Sequence, residues 1–587
     1  MKNGNILVIV VGGNISQMLV ENEGMDPKLE PISEDEIEQL LIKNDTISSI
    51  KLHEANNSKG ISIKINFKRL FDIANNIEQQ DSSQVNPLIW SELVKKIKAE
   101  EPNNEGIVIL HGLDTLAYTA SAISFMVRNL NIPIVFTGSQ RPLNYLRSDA
   151  PQNIYAAITF AASKSLGLNV INEVTIFLHD TLFRANRSSM SSASSYRSFD
   201  SLNFPALATI GEHVEIIEYF KIKTFTQVNT TYLTETFANV QIIDVFPGMS
   251  STVIEGLVEN DMQKIYLNNL KQVAMSIARE SGEVFDESEE AEIIDNLEKV
   301  LKTISQVQIL SNLLNTEQRQ KALKILKKLN NKFLKSENKV RGIILRTYGM
   351  GTAPTSPEVL LALRKLVDNN IIVMNVTQAH SSRISFNSDP VSLRLFEQGV
   401  ISGLDMTSEA AFAKMIIILS DVKKISKGLD YCEDELQREI AGEQTYSVIN
   451  YHFNSGYTFE TDSNDNNYAK LIVLNKAKEF SLREKEFNNI ENIQLRILGL
   501  RKKESGAKKA EIQIVRCGED FLKRQYEKTI LITEEILKNP KKLERETINV
   551  AYDVTNLKTD IFTKNAFFYI ISDQKIMWRR ISFVVFF

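Results

Sequence analysis

Short apolar runs, each closed by a small polar turn and followed by a helical pattern, recur through the first 250 residues and again after Val340. No other feature limits the fold as tightly. Asn5–Val11, Gly106–Leu110, Ile132–Thr137 and Val174–Leu178 are apolar at nearly every position, which suits strands covered on both faces. Ile61–Asn66 alternates apolar and polar residues and reads as another strand. Helical spacing at Leu88–Ala99 and Ala117–Met126 supplies the covering layers. Strands alternating with helices predict a largely parallel α/β sheet, in which ligands sit at the carboxyl ends of the strands.

The turns at those strand ends are where chemistry would lie. They read Val11-Gly12-Gly13-Asn14, Asp81-Ser82-Ser83, His111-Gly112-Leu113-Asp114-Thr115, Thr137-Gly138-Ser139-Gln140-Arg141-Pro142 and Asn186-Arg187-Ser188-Ser189-Met190. Gly12-Gly13 permits a tight turn and close backbone approach. The Gly-x-Gly-x-x-Gly spacing of a dinucleotide loop is absent, which excludes that reading. Taken singly, such a turn is more often a capped loop before a helix than a site.

The 587 residues suggest about three domains at roughly 100–200 residues each. A formal charge of −5 argues against a nucleic-acid surface, which needs a basic excess. Cys432 and Cys517 stand far apart without metal-ligand spacing, so a reduced, cytoplasmic setting with no metal or cofactor is expected. The run Ile6–Val11 is short and no cleavage pattern follows it, so it reads as a first strand rather than a signal sequence. No run approaches the ~20 apolar residues of a membrane helix, and no membrane partner is expected.

Between Thr252 and Asn338 the spacing turns helical, interrupted by the acidic run Asp286–Glu292, and predicts an inserted helical segment. Val340–Arg346 and Ile371–Asn375 then read as strands, with Thr355–Val367 and Ser408–Leu419 as helices. Beyond Gly442, Ile490–Leu498, Lys509–Arg516, Ile548–Val554, Ala566–Ile571 and Trp578–Phe587 favour strands, while Thr461–Asn467 has the composition of a loop or linker. The expected organisation is an N-terminal α/β lobe (1–250), a helical insertion (251–339), a second α/β lobe (340–445) and a β-rich domain (446–587).

The ordered motifs resemble those of the type I, cytoplasmic L-asparaginases. Val11-Gly12-Gly13-Asn14 stands where the family has Thr-Gly-Gly-Thr, and His111–Thr115 where it has His-Gly-Thr-Asp-Thr. Asp81-Ser82-Ser83 before Trp90 resembles the family's substrate loop, and Phe183–Met190 its Arg-Gly-Asn-Arg-Thr-Thr-Lys. Thr347–Pro354, Asn375–Gln378 and Ser402–Ala411 are similar to the second lobe. The resemblance implies a two-lobed, doubly wound α/β fold, a homo-oligomer, and hydrolysis of L-asparagine to L-aspartate and ammonia. It assigns the catalytic positions to Asn14, Leu113, Asp114 and Met190, and the substrate-holding positions to Asp81, Ser82, Ser83 and Asp114.

Several of those positions depart from the family. The glycine-loop threonine is Asn14, the mobile tyrosine is Met25, the second threonine is Leu113 and the lysine is Met190. A weak hydroxyl nucleophile depends on such neighbours. Three readings follow. Hydrolysis is impaired or lost while a small amino acid, L-asparagine or L-aspartate, still binds. Alternatively, Ser16, Ser188, Ser189 or Thr115 replaces the nucleophile. In the third, the helical insertion and the β-rich domain make this an interaction protein.

Overall fold

The computed structural model describes residues 3–20, 28–43, 62–70, 81–217, 230–257, 340–384 and 390–445, and strands within 448–586. The first lobe runs β1 (Asn3–Val10), β2 (Gln17–Val20), β3 (Lys28–Pro31), α1 (Glu34–Lys43), β4 (Ser62–Arg69), α2 (Pro87–Glu100), β5 (Gly106–Leu110), α3 (Leu116–Met126), β6 (Ile134–Thr137), α4 (Ala150–Ala161), β7 (Val174–Leu178), β8 (Thr181–Arg184), β9 (Ala208–Ile210) and β10 (Val214–Ile216). Its sheet has the order β10-β9-β8-β7-β6-β5-β1-β4. From β4 to β7 all pairs are parallel, and β8 to β10 extend the far edge antiparallel.

The continuous apolar runs now have a cause. Leu7, Ile9, Ile107 and Ile109 point to the layer of α2 and α3. Ile6, Val8, Val10, Val108 and Leu110 point to the layer of α1 and α4. Alternate residues thus bury on opposite faces, so no position in the strand is left for a polar side chain.

The second lobe comprises β11 (Asn239–Asp244), β12 (Val340–Thr347), α5 (Pro357–Asp368), β13 (Ile372–Thr377), α6 (Pro390–Glu397), β14 (Ile401–Ser402), α7 (Ser408–Ser420), α8 (Val422–Ile425) and α9 (Leu429–Gln437). Its sheet, β11-β12-β13-β14, is wholly parallel. β11 therefore belongs to the second sheet although it precedes position 250, where the pattern placed the division. Every residue of α3 except Tyr118 is buried, as is every residue of α7 from Ala413 to Ser420. A helix buried all round has lost its solvent face. These two share one hydrophobic cluster with strands of both sheets and join the lobes.

Residues 251–257 are helical, while the rest of the expected helical insertion, from 258 to 339, lies outside the described residues, as does the segment with Gly24, Met25 and Pro27. The C-terminal third forms two antiparallel sheets. One pairs Arg580–Phe586 with both Val448–Phe453 and Asn492–Lys502, and the other pairs Ala566–Ser572 with both Asn467–Val473 and Ala510–Cys517. One expectation is corrected here. Thr461–Asn467 is not simply a linker: Asp462–Asn464 pairs antiparallel with Asn467–Val473, Asn464 opposite Asn467. Polar composition hid the pairing, because Asp and Asn mark hairpin connections as readily as loops.

Candidate functional site

The site is assembled where β1, β5 and β6 end. β1 runs into Gly12 and Gly13, and Gly13 has φ +85°, in the left-handed region. A Cβ on Gly13 would lie 2.2 Å from the Gly112 Cα, so only glycine lets the two loops touch. A Cβ on Gly112 would meet Ser82 Oγ at 2.5 Å. A Cβ on Gly138 would meet Leu113 Cδ2 at 2.7 Å. The ring closes through Asn14, whose Nδ2 donates to the Gln140 carbonyl at 3.0 Å. Asn14, Leu113, Gly138, Gln140, Gly112 and Ser82 are thus linked by neighbouring contacts at the strand ends.

His111 is scaffold. Its ring is fully buried, and its Nδ1 donates to the Gly112 carbonyl at 2.7 Å, which fixes the neutral tautomer. Burial pushes its pKa down to about 4, so it is uncharged at neutral pH. Asp149 organises the opposite loop. Its carboxylate accepts from the backbone N–H groups of Gln140 and Arg141, while Asn153 donates to the Gly138 carbonyl at 2.9 Å.

The sequence-derived residues divide. Ser82 Oγ donates to Asp114 Oδ2 at 3.4 Å, and Thr115 Oγ1 donates to the Ser82 carbonyl at 2.7 Å. Asp114 is otherwise exposed. Asp81 and Ser83 are also exposed, and Asp81 Oδ1 accepts from the Ser83 N–H at 2.8 Å in a local capped turn. Leu113 is buried, and Met190 is half-buried against the hydrophobic cluster that contains Leu113.

The neighbouring hydroxyls are already engaged. Ser16 Oγ donates to the Gly13 carbonyl at 3.0 Å and Ser188 Oγ to the Arg184 carbonyl at 2.7 Å, both from buried positions. Ser189 differs: its Oγ donates to Glu409 Oε2 at 3.0 Å, across the interface between the lobes. Burial raises the Glu409 carboxyl above its ordinary range.

Upstream of Met190, from Arg184 to Arg187, the same stretch serves another purpose. Arg184 pairs with Glu173 at 2.8 Å, and Arg187 with Asp405 at 2.8 Å. Arg187 Nε also donates to the Gly442 carbonyl at 2.8 Å, and Asn186 Nδ2 to that of Ala441 at 2.9 Å. Lys414 and Glu443, both fully buried, pair at 2.6 Å. Residues 441–445 are thereby held in a seam between the lobes.

Gln140, Asp149 and Glu409 were missed as individual site residues, although each falls within or beside a motif. Only Glu409 carried a signal, standing two residues after Thr407, which caps α7 through the Ala410 N–H. Among the described residues, no group of three or more His, Cys, Asp or Glu side chains could hold a metal, and no helix is long and apolar enough to cross a membrane.

The doubly wound sheet, its glycine loop and the second parallel sheet define the class, an asparaginase-like two-lobed α/β protein. Residues 5–221 match the family model for the N-terminal domain of asparaginase, and residues 239–427 the glutaminase/asparaginase C-terminal domain. The chain belongs to the asparaginase family. It is 29% identical over 362 residues to L-asparaginase 1 of Escherichia coli (strain K12), spanning 60% of this chain and 79% of that protein. It is 25% identical over 366 residues to the 60 kDa lysophospholipase of Mus musculus, spanning 62% of this chain and 49% of that protein. The solved L-asparaginase I from Vibrio cholerae superposes with a TM-score of 0.52 at 26% identity, covering 76% of this chain and 100% of that one.

Proposed function

We propose that this chain is an asparaginase-family protein whose amide hydrolysis is impaired or lost and whose pocket still takes a small α-amino acid, L-asparagine or L-aspartate. One observation carries the reading. The ring around the strand ends offers a carboxamide, Asn14, and an apolar wall, Leu113, with Met190 as the third family catalytic position. A carboxamide is no acyl acceptor, and a methionine cannot relay protons. Ser82 and Asp114 remain beside this ring. An exposed carboxylate suits a ligand's α-ammonium, and hydroxyl and backbone N–H groups suit its α-carboxylate. Such binding needs neither a nucleophile nor an amine.

Ammonia release from L-asparagine by the purified chain tests this. Losing one member of a nucleophile–base unit costs ~10⁴ or more in rate, so turnover at least ~10³-fold below a threonine-bearing relative is expected. Turnover of ~1–10³ s⁻¹, the ordinary enzyme range, overturns the reading.

A second reading rests on Ser189 and Glu409. A half-buried carboxyl of raised pKa bonded to a half-buried hydroxyl has the makings of a base and a nucleophile. It requires ammonia release that Ser189→Ala abolishes. A homo-oligomer in the cytoplasm fits the family reading, and light scattering of the full chain tests the assembly. A third role, as an interaction protein working through the 251–339 segment and the C-terminal sheets, would survive damage to Asp114.

A further inference from the structure

One side chain, Asn144, takes the place of a third strand beside β2. β2 and β3 form a two-stranded antiparallel ribbon with Leu19 opposite Leu29. Along such a ladder, the N–H and C=O of every second residue turn away from the partner strand. Ser16, at the base, faces β3, its carbonyl accepting from the Ile32 N–H at 3.1 Å. Leu19, three residues on, faces the other way. Its N–H donates to Asn144 Oδ1 at 2.9 Å, and its carbonyl accepts from Asn144 Nδ2 at 2.9 Å. A backbone N–H only donates and a carbonyl only accepts, so the carboxamide has one orientation. It supplies the two bonds that the next strand of a sheet would supply. A two-stranded ribbon alone is marginal in water. Besides this amide, Met18 packs the ribbon against the core of the first lobe.

The ribbon is continuous with the glycine loop. The Ser16 N–H donates to the Gly13 carbonyl at 2.9 Å, and Ser16 Oγ donates to the same carbonyl at 3.0 Å. Asn14 lies inside that turn and donates to the Gln140 carbonyl at 3.0 Å. Gln140 and Asn144 belong to one loop, residues 138–149, which is braced from within. The Asp149 carboxylate accepts from the Gln140 and Arg141 N–H groups, and Ser139 Oγ and Ser148 Oγ donate to the Arg141 carbonyl at 2.7 and 3.2 Å. A single braced loop therefore holds the chain at two points, Asn14 and Leu19, on either side of the Ser16 turn.

We propose that Asn144 is a positioning residue: without touching the ligand, it holds the chain leading out of the glycine loop and so sets the affinity of the site for a small amino acid. The inference rests on the amino-acid reading of the site given above. A site competent only while the ribbon is docked loses apparent affinity in proportion to the docked fraction. Two hydrogen bonds are worth roughly a factor of ten or more in that equilibrium.

Asn144→Ala and Asn144→Asp in the full chain test this. Alanine removes both bonds, and aspartate sets a carboxylate oxygen against the Leu19 carbonyl. In both variants, deuterium exchange at the β2 amides should quicken about tenfold. Calorimetric affinity for L-asparagine should fall at least about fivefold. The melting temperature should move little, because Asn144 is exposed and belongs to neither core layer of the first lobe. That split separates positioning from support. Affinity within about twofold of the parent, or β2 amides that exchange no faster, overturns the inference and leaves the amino-acid reading standing. Affinity lost only in step with a large fall in melting temperature overturns it as well, and makes Asn144 a structural residue. No binding of L-asparagine by the parent chain overturns both the inference and the reading beneath it.

Discussion

The seam between the lobes and the candidate site both draw on one continuous stretch, residues 184–190, and follow different rules. In the seam, Arg184, Arg187 and Lys414 are buried, and each is matched by a carboxylate. A buried charge without a partner costs several kcal/mol, so each of these charges needs its partner. At the site, Asn14, Leu113 and Met190 are amide or apolar groups set against backbone and hydrophobic atoms. Folding does not require a hydroxyl or an ammonium there, because those groups would serve only a reaction. Chemistry at the strand ends can therefore change while the architecture persists.

Breaking the seam should give the largest effect. Lys414→Met leaves the buried Glu443 without its cation, at an expected cost of about 3–5 kcal/mol in chemical denaturation. Replacing Glu443 by Leu in the same chain should recover most of it. The pair also carries a pH signature. Burial works against the Glu443 charge, yet the Lys414 ammonium and the Ala441 N–H outweigh it and hold the carboxyl below its ordinary range. Its contribution is present above the unfolded value and is lost as pH falls through the folded one. A loss below about 1 kcal/mol for Lys414→Met would erase the distinction between the two regions.

Gly13→Ala should come next. It forces a side chain into the left-handed region and into the Gly112 backbone, so a loss of about 1–3 kcal/mol is expected together with loss of amino-acid binding. Full binding by this variant would show that the touching loops do not build the pocket.

Met190→Ala sharpens the comparison from the other side. A half-buried methionine contributes packing, so about 1 kcal/mol of stability should go while L-asparagine affinity stays within about twofold. A tenfold affinity loss would give Met190 a role in holding ligand.

The smallest effect is expected at Glu409, where site and seam meet. Its folded pKa lies above the unfolded value, so stability is greatest below the unfolded value and declines as pH rises through the folded one. Glu409→Gln keeps the shape without the titration. Its melting temperature relative to the parent should rise from pH 4 to pH 8. An unchanged difference at the two values would show that the carboxyl does not titrate between them.

The sequence by itself determined the strands β1, β4, β5, β6, β7, β12 and β13 and the helices α2, α3, α5 and α7, but not α1, α4 or the antiparallel edge β8 to β10. Apolar runs at Asn5–Val11 and Gly106–Leu110 can be covered only on both faces, and Gly12, Gly13 and Gly112 announced close backbone approach. It also marked the turns that carry Asn14, Ser82, Leu113 and Asp114. It left open which partners those turns would find. Asn14 and Gln140 are 126 positions apart, and Ser189 and Glu409 are 220 apart, so no local period relates them. Adjacent serines 188 and 189 look alike in sequence, yet one bonds inward to Arg184 and the other to a carboxyl of the second lobe. β11 joined a sheet whose next strand begins at Val340. Periodicity reports which face of an element is buried; only packing, which brings distant elements together, decides what that face is buried against.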